Sequence, residues 1–373
     1  MKFASRFFSH GWWLITLLGI FSLAVVIQNL AIPLWHGHFF TTTGDGKHVA
    51  SYGFNLVPCL VPRRQILASG NVKNGLSPLN RPRTLSVKQV QSLNNSMRDS
   101  GGFIAAPNRV IGVVIHGQAR AYPIAMLNWH EIVNDRLGSV PIAVTYDGFC
   151  NSAIVFRRQV AGQILRFGYS GLVYQSNALL YDRQPQRQQE SLWSQIQGRA
   201  IAGPAAQRRV TLQVVPCQLV TWGFWRQEHP HTRMIAGVRS LYPAYRKNPY
   251  GAYTFQQHNF RYPVQPLWQR PDFPPKTQLI IVRFNHHWQP VFFSDLFRRV
   301  NTFGLAKISI EGHPCVFRCQ HLPGSQTVCL LAPAHRADAY SLVFAWYAQH
   351  PKEFPIGSPT TTMAAPTTKH QSP

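Results

Sequence analysis

Two stretches decide how this chain is read: VIGVVIHGQARAYPIAML at Val110–Leu127 and LIIVRFNHHWQPVFFSDL at Leu279–Leu296. They share one hydrophobic pattern without a gap, 169 residues apart. Each reads as a strand, a tight turn, a second strand and the start of a helix. Two further landmarks follow in the same order. Phe156-Arg157 with a turn at Gly162 matches Phe317-Arg318 with a turn at Gly324, and Trp225 with His229-Pro230 matches Trp346 with His350-Pro351. A duplicated unit explains this order. The offset shrinks to 161 and then 121, so the second copy has lost about eight residues between Leu127 and Phe156 and about forty between Gly162 and Trp225. Segments kept in one copy alone are not needed to close a core, and function is expected there. They contain Asn128–Asp135 (NWHEIVND), Asp147–Ala153 (DGFCNSA), Tyr169–Arg183 (YSGLVYQSNALLYDR) and Ser191–Gln195 (SLWSQ). The expected fold class is α+β and strand-dominated, with two homologous β-rich halves behind an N-terminal transmembrane helix.

The anchor is read from Gly11 to Trp35, where no charged residue occurs. As helix, a segment of that length spans about 37 Å, enough for a ~30 Å hydrocarbon core. Trp12, Trp13 and Trp35 sit at its ends, where interfacial aromatics belong. Lys2 and Arg6 precede the span, while Asp45 and Lys47 cancel after it, which puts the N-terminus in the cytoplasm and the bulk outside. A cleaved signal peptide would have an apolar region of ~7–15 residues and a small-residue cleavage site, a poorer fit. The expected organisation is a cytoplasmic stub and anchor at 1–35, a linker and irregular segment at 36–108, a first unit at 109–240, a connector at 241–277, a shortened second unit at 278–356 and a Ser/Thr/Pro-rich tail at 357–373. Six cysteines would then face an oxidising compartment; their pairing is not legible in sequence, Cys315, Cys319 and Cys329 are near enough to one another to supply one bridge, and most of the others read as small buried hydrophobes.

Composition narrows the partners. Lys and Arg number 37 against 13 Asp and Glu, a net charge of +24 that favours anionic partners by long-range attraction. The charges form no long basic run, and no finger spacing, recognition-helix pattern or RNP-like motif accompanies them, so nucleic acid is not the expected partner. The membrane, and a small molecule or envelope component, are.

Several blocks in order resemble the bacterial family known as domain of unknown function 3179: Gly112–Asp135, Val144–Ala153, Ser170–Arg183, Ser191–Gln195 and Trp222–Pro230. The resemblance extends from about Gly53 to about Pro355 and implies a duplicated, often exported domain without an assigned activity. Relatives usually show Cys-Pro-Leu-Cys where this chain has Asp147-Gly148-Phe149-Cys150, so a carboxylate replaces the first thiol.

Within these blocks His130 shares a helix face with Leu127, while Asp147 and Cys150 follow the next strand. Imidazole, carboxylate and thiol together suit one transition metal ion with an open position, ligated by His130, Asp147 and Cys150. The same groups suit a nucleophilic Cys150 with His130 as its base. A buried, satisfied His and an inert thiol are the plainer alternatives. Glu131 is expected to point elsewhere, since adjacent helical residues do not share a face. A ligand pocket is expected to draw on Ser170, Tyr174, Asn177, Asp182, Arg183 and Trp193, with structural roles as the alternative. No P-loop, GxSxG, HExxH or Rossmann fingerprint is present. Three functions therefore stay open: a metal-site protein, a cysteine-nucleophile enzyme, and a ligand- or partner-binding module without catalysis.

Overall fold

The computed structural model describes residues 43–284, 287–322, 325–332 and 337–354. The expected anchor and tail lie outside them. Among the described residues no helix is long and apolar enough to cross a membrane.

Short strands β1 (Ile66–Ala68), β2 (Leu79–Asn80) and β3 (Thr84–Ser86) lead into helix α1 (Val87–Ser96). That helix opens on a capping box: Ser86 Oγ accepts the Gln89 N–H, and the Gln89 side chain accepts the Ser86 N–H. A hairpin follows, β4 (Arg109–Ile115) and β5 (Gln118–Pro123), then α2 (Ile124–His130) and a meander of β6 (Ile132–Leu137), β7 (Val140–Asp147) and β8 (Ser152–Arg157). The next strands are β9 (Gln159–Val160), β10 (Gln163–Ile164), β11 (Phe167–Tyr174), β12 (Asn177–Asp182), β13 (Leu192–Ser194) and β14 (Arg199–Ala202). After α3 (Pro204–Gln207) and β15 (Val214–Val215), the closing strand β16 (Gln218–Thr221) leads into α4 (Trp222–Glu228), followed by β17 (Arg233–Ile235). The connector carries α5 (Tyr242–Tyr245) and α6 (Gly251–Phe255). A second hairpin, β18 (Gln278–Phe284) and β19 (His287–Phe292), precedes α7 (Phe293–Phe297) and a meander of β20 (Leu305–Ile310), β21 (His313–Leu322) and β22 (Ser325–Ala332). Closing strand β23 (Ala337–Leu342) and α8 (Val343–Gln349) complete the order.

Both series thus run hairpin, helix, meander, closing strand, helix, and their pairing interlocks them. One large sheet has the order β19-β18-β23-β8-β7-β6-β2, and the other β20-β21-β22-β16-β4-β5-β17-β3. Each closing strand pairs with the first strand of its own hairpin and with the last strand of the other meander: β16 with β4 and β22, β23 with β18 and β8. A five-stranded sheet, β1-β11-β12-β13-β14, arises mostly from the segment between β8 and β16.

Strand periodicity explains the layering. Ile111, Val113 and Ile115 of β4 face a core shared with Val144 of β7, Val282 of β18 and Phe317 of β21, whereas Val110 and Val114 face Trp222 and Trp225 of α4. In β18, Ile280 and Val282 enter the shared core, while Leu279 and Ile281 turn outward to Phe344 and Trp346 of α8. Gly112 is required where α4 lies on the sheet, since a Cβ there would meet the Trp225 ring at 2.3 Å. The Trp225 and His229 rings are 4.1 Å apart, and Trp346 and His350 are 4.4 Å apart, each pair closing its helix.

Three expectations are corrected. Phe156 lies in β8, the third strand of its meander, and Phe317 in β21, the second of its own, so they do not correspond. Asn128–Asp135 and Asp147–Ala153 fall in the helix-meander portion that both series possess; Tyr169–Arg183 and Ser191–Gln195 fall in the five-stranded sheet, which has no counterpart among the described residues of the second series. All six cysteines are free, so no bridge joins Cys315, Cys319 and Cys329.

Candidate functional site

Helix α2 ends at His130, and the next residue turns the chain sharply. Glu131 has φ 55° and ψ −31°, a left-handed conformation that costs a non-glycine residue about 1–3 kcal/mol. It is held from both sides: its N–H donates to the Leu127 carbonyl at 2.8 Å, and its carbonyl accepts from the Tyr146 N–H of β7 at 2.8 Å. The turn separates two neighbours chemically.

His130 is 3 % exposed and fully engaged. Nδ1 lies 2.7 Å from the Ser77 carbonyl and Nε2 2.6 Å from the Tyr245 hydroxyl. Tyr245 also accepts from the Val238 N–H at 3.0 Å, so the network assigns the Nδ1–H tautomer, with Tyr245 donating to Nε2. Burial lowers the imidazole pKa, which keeps it neutral. This side chain ties α2 to α5.

Asp147 organises the loop after β7. One oxygen accepts the Phe149 and Cys150 N–H groups at 2.8 and 3.3 Å; the other accepts the Ala178 N–H at 2.7 Å and the Asn177 amide at 3.0 Å. Burial raises the carboxyl pKa, and these donors oppose it. Behind Asp147, Asn177 donates to Gln195 at 2.8 Å and to Ser152 at 3.3 Å, and Gln195 donates to Thr145 at 3.1 Å. Three sequence blocks thereby meet in one buried polar web. Cys150 is 0 % exposed, donates to the Ser176 carbonyl at 3.0 Å, and has its thiol pKa pushed well up, chiefly by burial.

The structure brings Asp147 and Cys150 together in one loop, where Asp147 accepts the Cys150 N–H, while His130 bonds Ser77 and Tyr245. The donors of His130, Asp147 and Cys150 are committed to different partners, and no group of three or more His, Cys, Asp or Glu among the described residues is arranged to hold a metal ion. Cys150 bonds a carbonyl and not an imidazole, and its raised pKa disfavours the thiolate.

The expected ligand residues build the framework. Ser170 Oγ donates to the Leu179 carbonyl at 2.6 Å across an irregular stretch of β11. Asp182 accepts the Ser191 N–H at 2.6 Å and the Trp193 indole at 3.0 Å. Arg183 donates to Asn74 and to the Tyr181 hydroxyl, and Tyr174 is buried opposite Ile66 of β1. Asn177 supports Asp147.

The chemistry gathers one residue to either side of His130. A cavity of ≈ 230 Å³ is lined by Asn128, Trp129, Glu131 and Asp147, and by Phe149, Tyr169, Tyr250 and Tyr262 among its aromatic walls. Asn128 Oδ1, Trp129 Nε1 and Glu131 Oε2 are buried without a hydrogen-bond partner among the described residues. Glu131 is 6 % exposed, and its carboxyl pKa is raised well above the ordinary value by burial and by Asp147. Asp147 has four donors, whereas Glu131 Oε2 has no partner among the described residues. Burial raises both carboxyls, and the donors around Asp147 oppose the shift there alone. Sequence reasoning missed Glu131 because its conformation is non-helical, and missed Tyr250 and Tyr262 because they come from the connector. The uninterrupted NWHE run was the available signal.

Fold and site together define a strand-dominated α+β domain with a small, aromatic-walled acidic cavity. The chain belongs to the family described as Protein of unknown function (DUF3179), which it matches over residues 74–329. No curated protein and no solved structure matches it.

Proposed function

We propose that this chain binds a small polar molecule in the cavity beside Glu131, and that Glu131, carrying a proton, donates it to that molecule. The observation that carries this reading is the set of three unpartnered polar atoms on one cavity, at Asn128, Trp129 and Glu131. Each such buried group costs about 1–3 kcal/mol unless something pairs with it. A ligand offering one donor and two acceptors would relieve all three. The volume is below the ~300–1,000 Å³ usual for drug-sized ligands, so the molecule is small. Binding without turnover is the minimal form of the same reading. Difference infrared spectroscopy tests it: at about pH 6, where an ordinary Glu is ionised, the wild type should show a protonated carboxyl band that Glu131→Gln removes. A spectrum unchanged by that substitution would refute the acid role.

We also read the two matching element series as copies of one unit, with the five-stranded sheet inserted in the first. The matching strand orders and the two Trp/His helix ends support this. Superposing β4–β8, β16 and α4 on β18–β22, β23 and α8 should bring Trp225 onto Trp346. If it does not, the copies are unrelated.

A further inference from the structure

A second space adjoins the Glu131 cavity, and its chemistry is opposite in sign. This groove, ≈ 270 Å³, is lined by Asn108, Arg109, Asn128, Asn151, Lys247 and Tyr250, among others. Asn128 and Tyr250 line both spaces, and Gly148, on the groove, directly follows Asp147, on the cavity. Tyr250 packs closely against Gly148, where a Cβ would meet its ring at 2.3 Å. One tyrosine thus stands between a cationic groove and an acidic cavity. Arg109 reaches the groove from the start of β4 and is oriented by a 3.3 Å bond to Asn151, which the Tyr146 hydroxyl fixes in turn at 2.8 Å. Lys247 follows α5 and is exposed.

We propose that this groove is an anion-binding subsite, so that the ligand of the neighbouring cavity carries a carboxylate or phosphate group at one end. The proposal rests on the reading of the Glu131 cavity and adds the ligand's chemical class. Arg109 supplies planar donors suited to oxyanion pairs, Lys247 supplies a point charge, and the amides of Asn108, Asn128 and Asn151 supply neutral donors. The protonated Glu131 does not repel an anion held there, whereas a second ionised carboxylate would. The uncharged end of the ligand then faces Asn128, Trp129 and Glu131, which ask for one donor and two acceptors.

The test uses the full chain in detergent, titrated calorimetrically with inorganic phosphate and, separately, with acetate. Saturable binding of at least one is expected, and whichever binds more tightly identifies the anionic group. Arg109→Gln should weaken it about tenfold and Lys247→Gln about threefold. Arg64→Gln, an exposed cation lining neither space, should leave affinity unchanged, which separates a site from generic attraction to a net charge of +24. Because Lys247 is exposed, its variant tests the groove even if Arg109→Gln fails to fold. Absence of binding, or an equal loss in Arg64→Gln, would overturn the subsite. The Glu131 carboxyl band is read without any anion, so the subsite and the acid role fail separately.

Discussion

Glu131→Gln should melt at a higher temperature than the wild type at about pH 8 and at the same temperature at about pH 4, flattening the decline of stability with rising pH. Burial raises the folded-state pKa of Glu131, with Asp147 adding to the effect. For a raised acid, the favourable contribution is complete below the unfolded value, near 4.5, and is lost as pH climbs through the folded value. Gln carries no proton to lose, so the gain over the wild type should grow steadily as pH rises from about 4 to about 8. Asp147 is shifted in the same direction and remains in both proteins, so some slope persists. His130, with its lowered pKa, acts on the acidic side: its contribution is lost as pH falls below about 6.5. It is common to both proteins and cancels in the comparison. A variant less stable than the wild type at alkaline pH would show that the ionised carboxylate is the form the fold favours.

Asp147→Ala should be the more damaging change. It strands the Phe149, Cys150 and Ala178 N–H groups, and it takes one of three acceptors from the Asn177 amide, which keeps Ser152 and Gln195. Two or more unpaired buried donors imply a loss of about 3 kcal/mol or more. Urea unfolding of the variant beside Cys150→Ser provides the scale. The thiol donates to the Ser176 carbonyl, a bond that a hydroxyl can replace, so that variant should lose no more than about 1 kcal/mol. If the order is reversed, with Cys150 the more sensitive position, the thiol does something that its hydrogen bond does not explain. The substitution also bears on the resemblance to relatives with Cys-Pro-Leu-Cys. A carboxylate at 147 presents two oxygens to four donors, where a thiol would present one weak acceptor.

The sequence by itself determined the elements and their faces. Once Val110–Ile115 is read as a strand, covalent geometry alone puts Ile111 and Val113 on one side and Val110 and Val114 on the other. The ordered blocks were enough for the family. Tertiary structure alone decided which strands meet. Nothing in β16 or β23 announces that each will also pair with the other series' meander, because backbone hydrogen bonds carry no side-chain signature. For the same reason the spacing of Phe156 and Phe317 misled. The site was decided at a single peptide turn. Helical spacing drew attention to His130, but the phenol of Tyr245, 115 residues away, satisfies it. One positive φ at Glu131 leaves that carboxyl on the cavity instead. A buried acid is made by what surrounds it, and its surroundings here come from β7, β11 and the connector, far apart in the chain and adjacent only after folding.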